Sequence, residues 1–239
     1  MKSYNKLTIV VPVYNERTTV AESIRRARDV DLPIEREVVV VDDGSSDGSS
    51  EILDRLGDST VRVFHQPSNQ GKGAAIRRGF SEATGDIIVI HDADLEYDPR
   101  DWVAMLRPLL EGQSRVVYGS RFTGQRRNML FWHWVGNRFL SLVTNVLYNT
   151  TVSDMETGYK MMDADLLRSL YLKAKKFDIE PEITAKILRL GVRIWEVPIS
   201  YAGREIDEGK KISWRDGLPA LWTLIKVRLL PLRAIRRVR

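Results

Sequence analysis

The sequence predicts an α/β fold built on an open, mainly parallel sheet, and three observations carry that expectation. Short β-branched runs recur through the first half of the 239-residue chain. Segments with helical spacing separate them. Each run stops at a cluster of Asp, Asn, Gly or Ser, as strands do when they end at ligand-facing loops. Leu7-Thr8-Ile9-Val10-Val11-Pro12-Val13 is expected as a buried first strand ending near a proline. Asn15 and Glu16 open a helix through about Asp29, with Val20, Ile24 and Ala27 on one face. Glu37-Val38-Val39-Val40-Val41 suits a central parallel strand, and Asp42-Asp43-Gly44-Ser45-Ser46-Asp47-Gly48 terminates it. A short helix over 50–56, a strand over 61–64 and a helix over 73–83 come next. Residues 87–91 form a fourth strand, 101–110 a helix and 115–119 a fifth strand. This alternation implies right-handed crossovers and ligand binding beyond the carboxyl ends of the strands.

Composition narrows the class. Cysteine is absent, which excludes disulfides and thiolate metal sites. The first residues lead straight into a strand with no secretory apolar segment, and no run of about 18 uncharged apolar residues is present, so a cytoplasmic protein is expected. One domain over 1–217 and a basic amphipathic segment over 218–239 account for the chain. The net charge of +5 is uneven: Lys226, Arg228, Arg233, Arg236, Arg237 and Arg239 succeed one another without an acidic residue. Their interleaving with Trp222, Leu224, Ile225, Leu229, Leu230, Leu232 and Ile235 favours an interfacial helix on an anionic membrane over a nucleic-acid tail. Pro231 should end that helix and leave a mainly electrostatic tail. The stretch 126–148 is also aromatic and aliphatic, with Arg126, Arg127, His133 and Arg138 set among its apolar residues. It suits a core helix and a lipid-facing amphipathic helix equally.

The most informative motif is Asp92-Ala93-Asp94, at the end of the strand Ile87-Ile88-Val89-Ile90-His91. Alternation along an extended chain points both carboxylates the same way. Two like charges that close call for a cation, and hard oxygen ligands suit Mg²⁺ or Mn²⁺, ions that also hold substrate phosphates. The first strand ends in Tyr14-Asn15-Glu16 rather than a glycine-rich turn, so a dinucleotide fold is not indicated.

Val10-Val11-Pro12-Val13-Tyr14-Asn15-Glu16, Val41-Asp42-Asp43-Gly44-Ser45-Ser46-Asp47 and Asp92-Ala93-Asp94, in that order at strand ends, resemble the inverting family-2 glycosyltransferases of GT-A fold. Asn69-Gln70-Gly71-Lys72-Gly73, Gly119-Ser120-Arg121-Phe122, Asp154-Met155-Glu156-Thr157-Gly158-Tyr159-Lys160 and Glu180-Pro181-Glu182-Ile183-Thr184 extend the resemblance to the dolichol- and polyprenol-phosphate sugar synthases. The resemblance implies a nucleotide-sugar donor of the GDP-mannose or UDP-glucose type and a polyprenyl or dolichyl phosphate acceptor. It also implies peripheral attachment to the membrane and admits a separate membrane-anchoring protein. A family-2 enzyme with a soluble or glycan acceptor, or a nucleotide-sugar-binding protein without turnover, are the alternatives.

The same resemblance implies the residue roles. Pro12, Tyr14, Glu16, Val41 and Asp43 line the base and ribose pocket. Lys72 faces phosphate or is a plain surface lysine. Asp94 binds the metal, Asp92 shares it or holds ribose, Ala93 lies between them against the donor, and Glu96 is a further candidate ligand. Arg121 anchors the donor side of the cleft. Arg204 and Lys210 close over the departing diphosphate. Arg126, Arg127, His133 and Arg138 are the candidates for the acceptor phosphate, and Asp154 or Glu156 for orienting the acceptor or the sugar hydroxyls.

Overall fold

A computed structural model describes residues 2–56, 60–127, 129–204 and 217–237. Its seven strands are β1 (Lys6–Val13), β2 (Glu35–Asp42), β3 (Val61–His65), β4 (Ile87–Ile90), β5 (Val116–Ser120), β6 (Lys160–Asp163) and β7 (Trp195–Pro198). They form one sheet in the order β3-β2-β1-β4-β6-β5-β7. β6 runs antiparallel to both its neighbours, and every other adjacent pair is parallel. The helices are α1 (Val20–Asp29), α2 (Ser49–Asp54), α3 (Lys72–Glu82), α4 (Trp102–Leu110), α5 (Phe131–Tyr148), α6 (Ala164–Ser169), α7 (Ile179–Arg189) and α8 (Gly217–Leu229).

The expected mainly parallel sheet is therefore present, and its central strands are apolar because both faces are covered. Along β1, Leu7, Ile9 and Val11 join a core with α1 and α4, whose largest member is the fully buried Trp102. Val10 points to the other face and meets a second core that includes Ile76, Ile88, Ile183 and Leu224. Close approach of α3 to β1 needs Gly79, where a Cβ would stand 2.3 Å from Val10 Cγ1.

Four expectations are corrected. α1 begins at Val20 rather than at Asn15, because Asn15 takes a left-handed backbone (φ 52°) and the Glu16 carbonyl accepts the amides of Thr19 and Val20. The helix expected from 126 begins at Phe131, since the backbone of 125–127 pairs with Tyr201 instead. α8 does stop ahead of Pro231, but the segment beyond that proline is not the mainly electrostatic tail expected. Ile235 is fully buried and its carbonyl accepts the Tyr171 amide at 2.9 Å, while the Arg237 amide reaches the Ser169 carbonyl at 2.8 Å. Leu224, expected on the lipid face, is likewise fully buried, and Tyr148 Oη donates to its carbonyl at 2.6 Å. Among the described residues no helix is long and apolar enough to cross a membrane.

Candidate active site

The carboxyl ends of β1, β2, β4 and β5 bring together Tyr14, Glu16, Asp42, Asp43, the 92–96 loop and Arg121. Pro12 lies opposite Val41 in the β1–β2 register, and Tyr14 is 37% exposed. Asp43 is buried and already engaged: it accepts from Gln66 Nε2 (2.6 Å) and the amides of Gln70 (2.8 Å) and Gly71 (2.8 Å). It thus ties β2 to the loop leading into α3. Burial pushes its carboxyl up despite those bonds.

The two motif aspartates occupy different surroundings. Lys72 Nζ sits between Asp92 Oδ1 (2.8 Å) and Glu180 Oε1 (2.9 Å), with all three side chains largely buried. Burial alone would raise the Asp92 carboxyl, but the Lys72 ammonium outweighs it and holds the group below its ordinary range. Lys72 is accordingly a buried ion-pair partner, not a surface lysine. Ala93 is buried between the two aspartates. Asp94 is pushed up to about 7, first by burial and then by the charges of Asp92 and Glu96. Its one cationic partner among the described residues is Arg204, with Nη2 3.0 Å from Oδ2.

Arg204 fills the centre of this acidic group. Its Nη1 is 3.2 Å from Glu16 Oε2, and its Nε is 3.5 Å from Glu96 Oε1. Glu96 also accepts from Tyr201 Oη (2.7 Å) and from the Arg204 amide (2.9 Å), so it docks the 201–204 segment onto the motif loop. Between Asp94 and Glu96, Leu95 adopts a left-handed backbone (φ 62°), a costly conformation for a branched residue and one that clusters at functional sites.

Arg121 is buried and clamped by Asp154 through two parallel bonds of 2.7 and 2.8 Å, and it lies 5.2 Å over the Tyr201 ring. Arg126 and Arg138 both approach the Phe122 ring, at 5.3 and 5.5 Å from its centroid. The amide of Arg127 donates to the Tyr201 carbonyl (2.9 Å), and the carbonyl of His133 accepts from Asn137 (2.7 Å). Lys210 lies outside the described residues.

The structure adds residues that the motifs do not point to. His91 is buried between Ser23 Oγ (3.1 Å to Nε2) and Tyr159 Oη (3.0 Å to Nδ1), and burial lowers its pKa to about 4. Tyr97 stacks on Tyr159 with centroids 4.5 Å apart, and its Oη accepts the Gly158 amide at 2.9 Å. A histidine immediately before the aspartate pair was the available signal for this aromatic support.

Among the described residues no three His, Asp or Glu side chains form a metal cage. The donor set still fits Mg²⁺ or Mn²⁺, which take one or two carboxylates and complete their shell with substrate phosphates and water. The rise of the Asp94 carboxyl marks unbalanced negative charge where a divalent cation would be favoured.

Comparison with known proteins agrees with this geometry. The sequence model described as "Glycosyl transferase family 2" matches residues 8–171. The undecaprenyl-phosphate mannosyltransferase of Micrococcus luteus is 30% identical over 246 residues, covering 94% of this chain and 99% of that protein. A dolichol-phosphate mannosyltransferase of Pyrococcus furiosus is 28% identical over 210 residues, covering 86% of this chain and 59% of that longer protein. In structure, the chain is similar to glucosyl-3-phosphoglycerate synthase from Mycobacterium tuberculosis, solved with Mn²⁺, uridine diphosphate and glucosyl-3-phosphoglycerate. The TM-score is 0.73 at 24% identity, over 95% of this chain and 81% of that one. The architecture is thus the expected GT-A type. With motifs at the strand ends, a matching sheet and a family match that runs from β1 through α6, the chain belongs to glycosyl transferase family 2.

Proposed function

We propose that this protein transfers a hexose from a nucleoside-diphosphate sugar of the GDP-mannose or UDP-glucose type to a polyprenyl or dolichyl phosphate at the cytoplasmic face of a membrane. The observation that carries the acceptor assignment is the exposed aromatic face of α5 beside the cations around Phe122. Phe131, Trp132 and Phe139 are 63%, 78% and 52% exposed, and Arg126 and Arg138 flank Phe122 next to them. An isoprenyl chain needs apolar surface outside the cleft, and its phosphate needs cations at the entrance. Trp222 and Leu229 of α8 are also exposed, while Leu224 on the same helix packs inward. The names of the two mannosyltransferase relatives support the same acceptor class.

Asp94 is the proposed metal carboxylate, and a divalent cation bound there would neutralise the diphosphate as it departs. Asp92 is kept ionised by Lys72 and lines the donor side with Ala93. Pro12, Tyr14 and Glu16 form the wall for base and ribose, with the buried Val41 and Asp43 supporting it from behind. Arg204, with Lys210 as a second cation, meets the leaving diphosphate. The acceptor phosphate has its second pKa near ~6 and is largely dianionic at pH 7, so it attacks without a protein base and inverts the sugar carbon.

The test is a panel of GDP-mannose and UDP-glucose with short-chain polyprenyl phosphate or 3-phosphoglycerate, read as nucleoside diphosphate released. Release that depends on polyprenyl phosphate and is abolished by chelator is the expected result. Release that depends on the soluble acid alone overturns the acceptor assignment. Sedimentation with anionic liposomes should fall when Trp132 and Trp222 are both changed to Ser; unchanged sedimentation overturns the membrane-facing role of these helices.

A further inference from the structure

Arg204 lies where the carboxylates suited to a divalent cation converge. Asp94 gives one oxygen, Oδ1, to the Glu96 amide of its own loop (3.2 Å) and the other, Oδ2, to Arg204 Nη2 (3.0 Å). Glu96 is committed to the same segment through both oxygens: Oε1 accepts the Arg204 amide (2.9 Å) and Oε2 accepts Tyr201 Oη (2.7 Å). Glu16 takes the guanidinium from the other side, with Oε2 3.2 Å from Nη1 and Oε1 3.4 Å from Nη2. The Asp94 and Glu96 oxygens that Mg²⁺ or Mn²⁺ would use are therefore held by one residue, through its side chain and its amide.

The guanidinium is held there by charge more than by fit. Its Nε is buried without a hydrogen bond, and Glu96 Oε1 stands 3.5 Å from it. A buried donor left unmatched costs free energy. Arg121 shows the contrast, since its Nε and Nη2 close on Asp154 in parallel bonds of 2.7 and 2.8 Å. The backbone behind Arg204 is anchored at Tyr201, whose ring lies 5.3 Å from that of Tyr97 and whose amide donates to the Gln125 carbonyl at 3.0 Å. Arg204 comes three residues after this anchor, so its side chain can turn away while the anchor stays.

Two cations do not share this place at little cost. A divalent ion about 2.1 Å from Asp94 Oδ2 would meet the guanidinium within a few ångströms, and like charges that close repel strongly where water is mostly excluded. The side chains of Arg204, Asp94 and Glu96 are 18%, 16% and 12% exposed, so screening is weak. A nucleoside diphosphate resolves the conflict. Its phosphate oxygens accept the planar fork of a guanidinium in paired, charge-assisted bonds, which gives Arg204 a new partner as the carboxylates pass to the metal.

We infer that Arg204 is a built-in substitute for the divalent cation: it holds Asp94 until a nucleoside diphosphate draws it off, so that metal alone binds weakly and metal with nucleotide binds tightly. This rests on the nucleotide-sugar reading above and adds the regulation of the same site. Cation and nucleotide enter as a coupled pair, and the coupling is reciprocal, as linkage requires.

Two binding measurements on the full chain test the inference. Electron paramagnetic resonance of free Mn²⁺ gives the affinity for the cation alone. Calorimetry with UDP and with GDP, in chelator and in saturating Mn²⁺, gives the coupling between cation and nucleotide. Arg204→Ala and Arg204→Gln should each bind Mn²⁺ alone about tenfold more tightly than wild type and lose about tenfold of the coupling, a size usual for linked sites. Arg204→Gln keeps a hydrogen-bonding group beside Glu16 and carries the test if Arg204→Ala does not fold. Mn²⁺ affinity that is unchanged or weaker in the folded variant overturns the inference and leaves the transfer reading standing. Tighter Mn²⁺ binding with undiminished coupling also overturns it, since that marks a nearby like charge and not an exchange. Wild type that binds neither UDP nor GDP in saturating Mn²⁺ overturns the nucleotide-sugar reading and this inference together.

Discussion

Asp92 and Asp94 stand two residues apart on one loop, yet they live in opposite electrostatic settings. Asp92 is locked into a buried ion pair with Lys72, which Glu180 holds from the other side. Asp94 has Glu96 and Asp92 for neighbours and, among the described residues, only the Arg204 guanidinium against them, so its carboxyl rises to about 7. The difference separates two jobs that the repeated aspartate obscures. One carboxylate is held in a fixed ion pair, and the other has more negative charge around it than one guanidinium balances.

The largest effect should come from breaking the scaffold side. Lys72→Met leaves Asp92 and Glu180 buried without their shared cation, which costs about 3–5 kcal/mol by analogy with other broken buried pairs. The melting temperature should drop by roughly 10 °C for a domain of this size. Lys72→Met with Glu180→Gln should recover part of the loss. A melting temperature unchanged by Lys72→Met, with a raised donor KM, would instead make Lys72 a phosphate ligand.

Asp94→Asn probes the other side. Turnover should fall by about 10²–10³-fold, the usual loss when a key electrostatic group is removed from an active site. The metal-free variant should melt no lower than wild type at pH 8, because the substitution removes a charge that is buried at a cost. Equal melting losses in Asp94→Asn and Lys72→Met would erase the distinction between the two aspartates.

The support beneath both aspartates gives a smaller, pH-gated effect. His91 titrates near 4 in the fold against an ordinary value near ~6.5, so the unfolded chain binds more protons between those values. The part of the stability that His91 contributes should therefore rise with pH across that window and be lost on acidification through it, by about 3 kcal/mol in total, against the opposite contribution of the raised Asp94 carboxyl. Urea midpoints measured from pH 7 to pH 4 for wild type and His91→Gln isolate this part: the advantage of wild type over the variant should shrink as the pH falls. An equally steep slope in the variant assigns acid sensitivity elsewhere.

Legibility in the sequence tracked the physics of each element. β1, β2, β4 and β5 stood out because strands covered on both faces are near-continuous apolar runs, and the half-exposed edge strand β3 because Val61, Val63 and Phe64 cluster between polar loops. β6 did not, since Lys160-Met161-Met162-Asp163 begins and ends on charges, and the partners of Asp163 lie far along the chain. β7 is a four-residue edge strand ending in Pro198, too short and too polar to register. At the site, the aspartate pair was visible from spacing alone. The Glu180 contact to Lys72 was not, because nothing local ties a residue of α7 to a lysine so distant in sequence. Leu224 and Ile235 show the same limit: an apolar residue on an amphipathic segment reads alike whether it faces lipid or a core.

The antiparallel insertion of β6 has a consequence for how such proteins diversify. The segment that leaves β5 after Ser120 re-enters the sheet beside it, with Tyr118 registered against Lys160. Its two ends are therefore neighbours, in the manner of a hairpin whose loop has grown into a helix. Segments closed at such a base exchange or lengthen at little entropic cost, because the ends stay fixed whatever lies between. The face that carries Trp132 and Arg138 is the part of the excursion open to exchange, whereas its two ends, with Arg121 on Asp154 and Gly158 against Asp92, must stay for the aspartate pair to keep its setting.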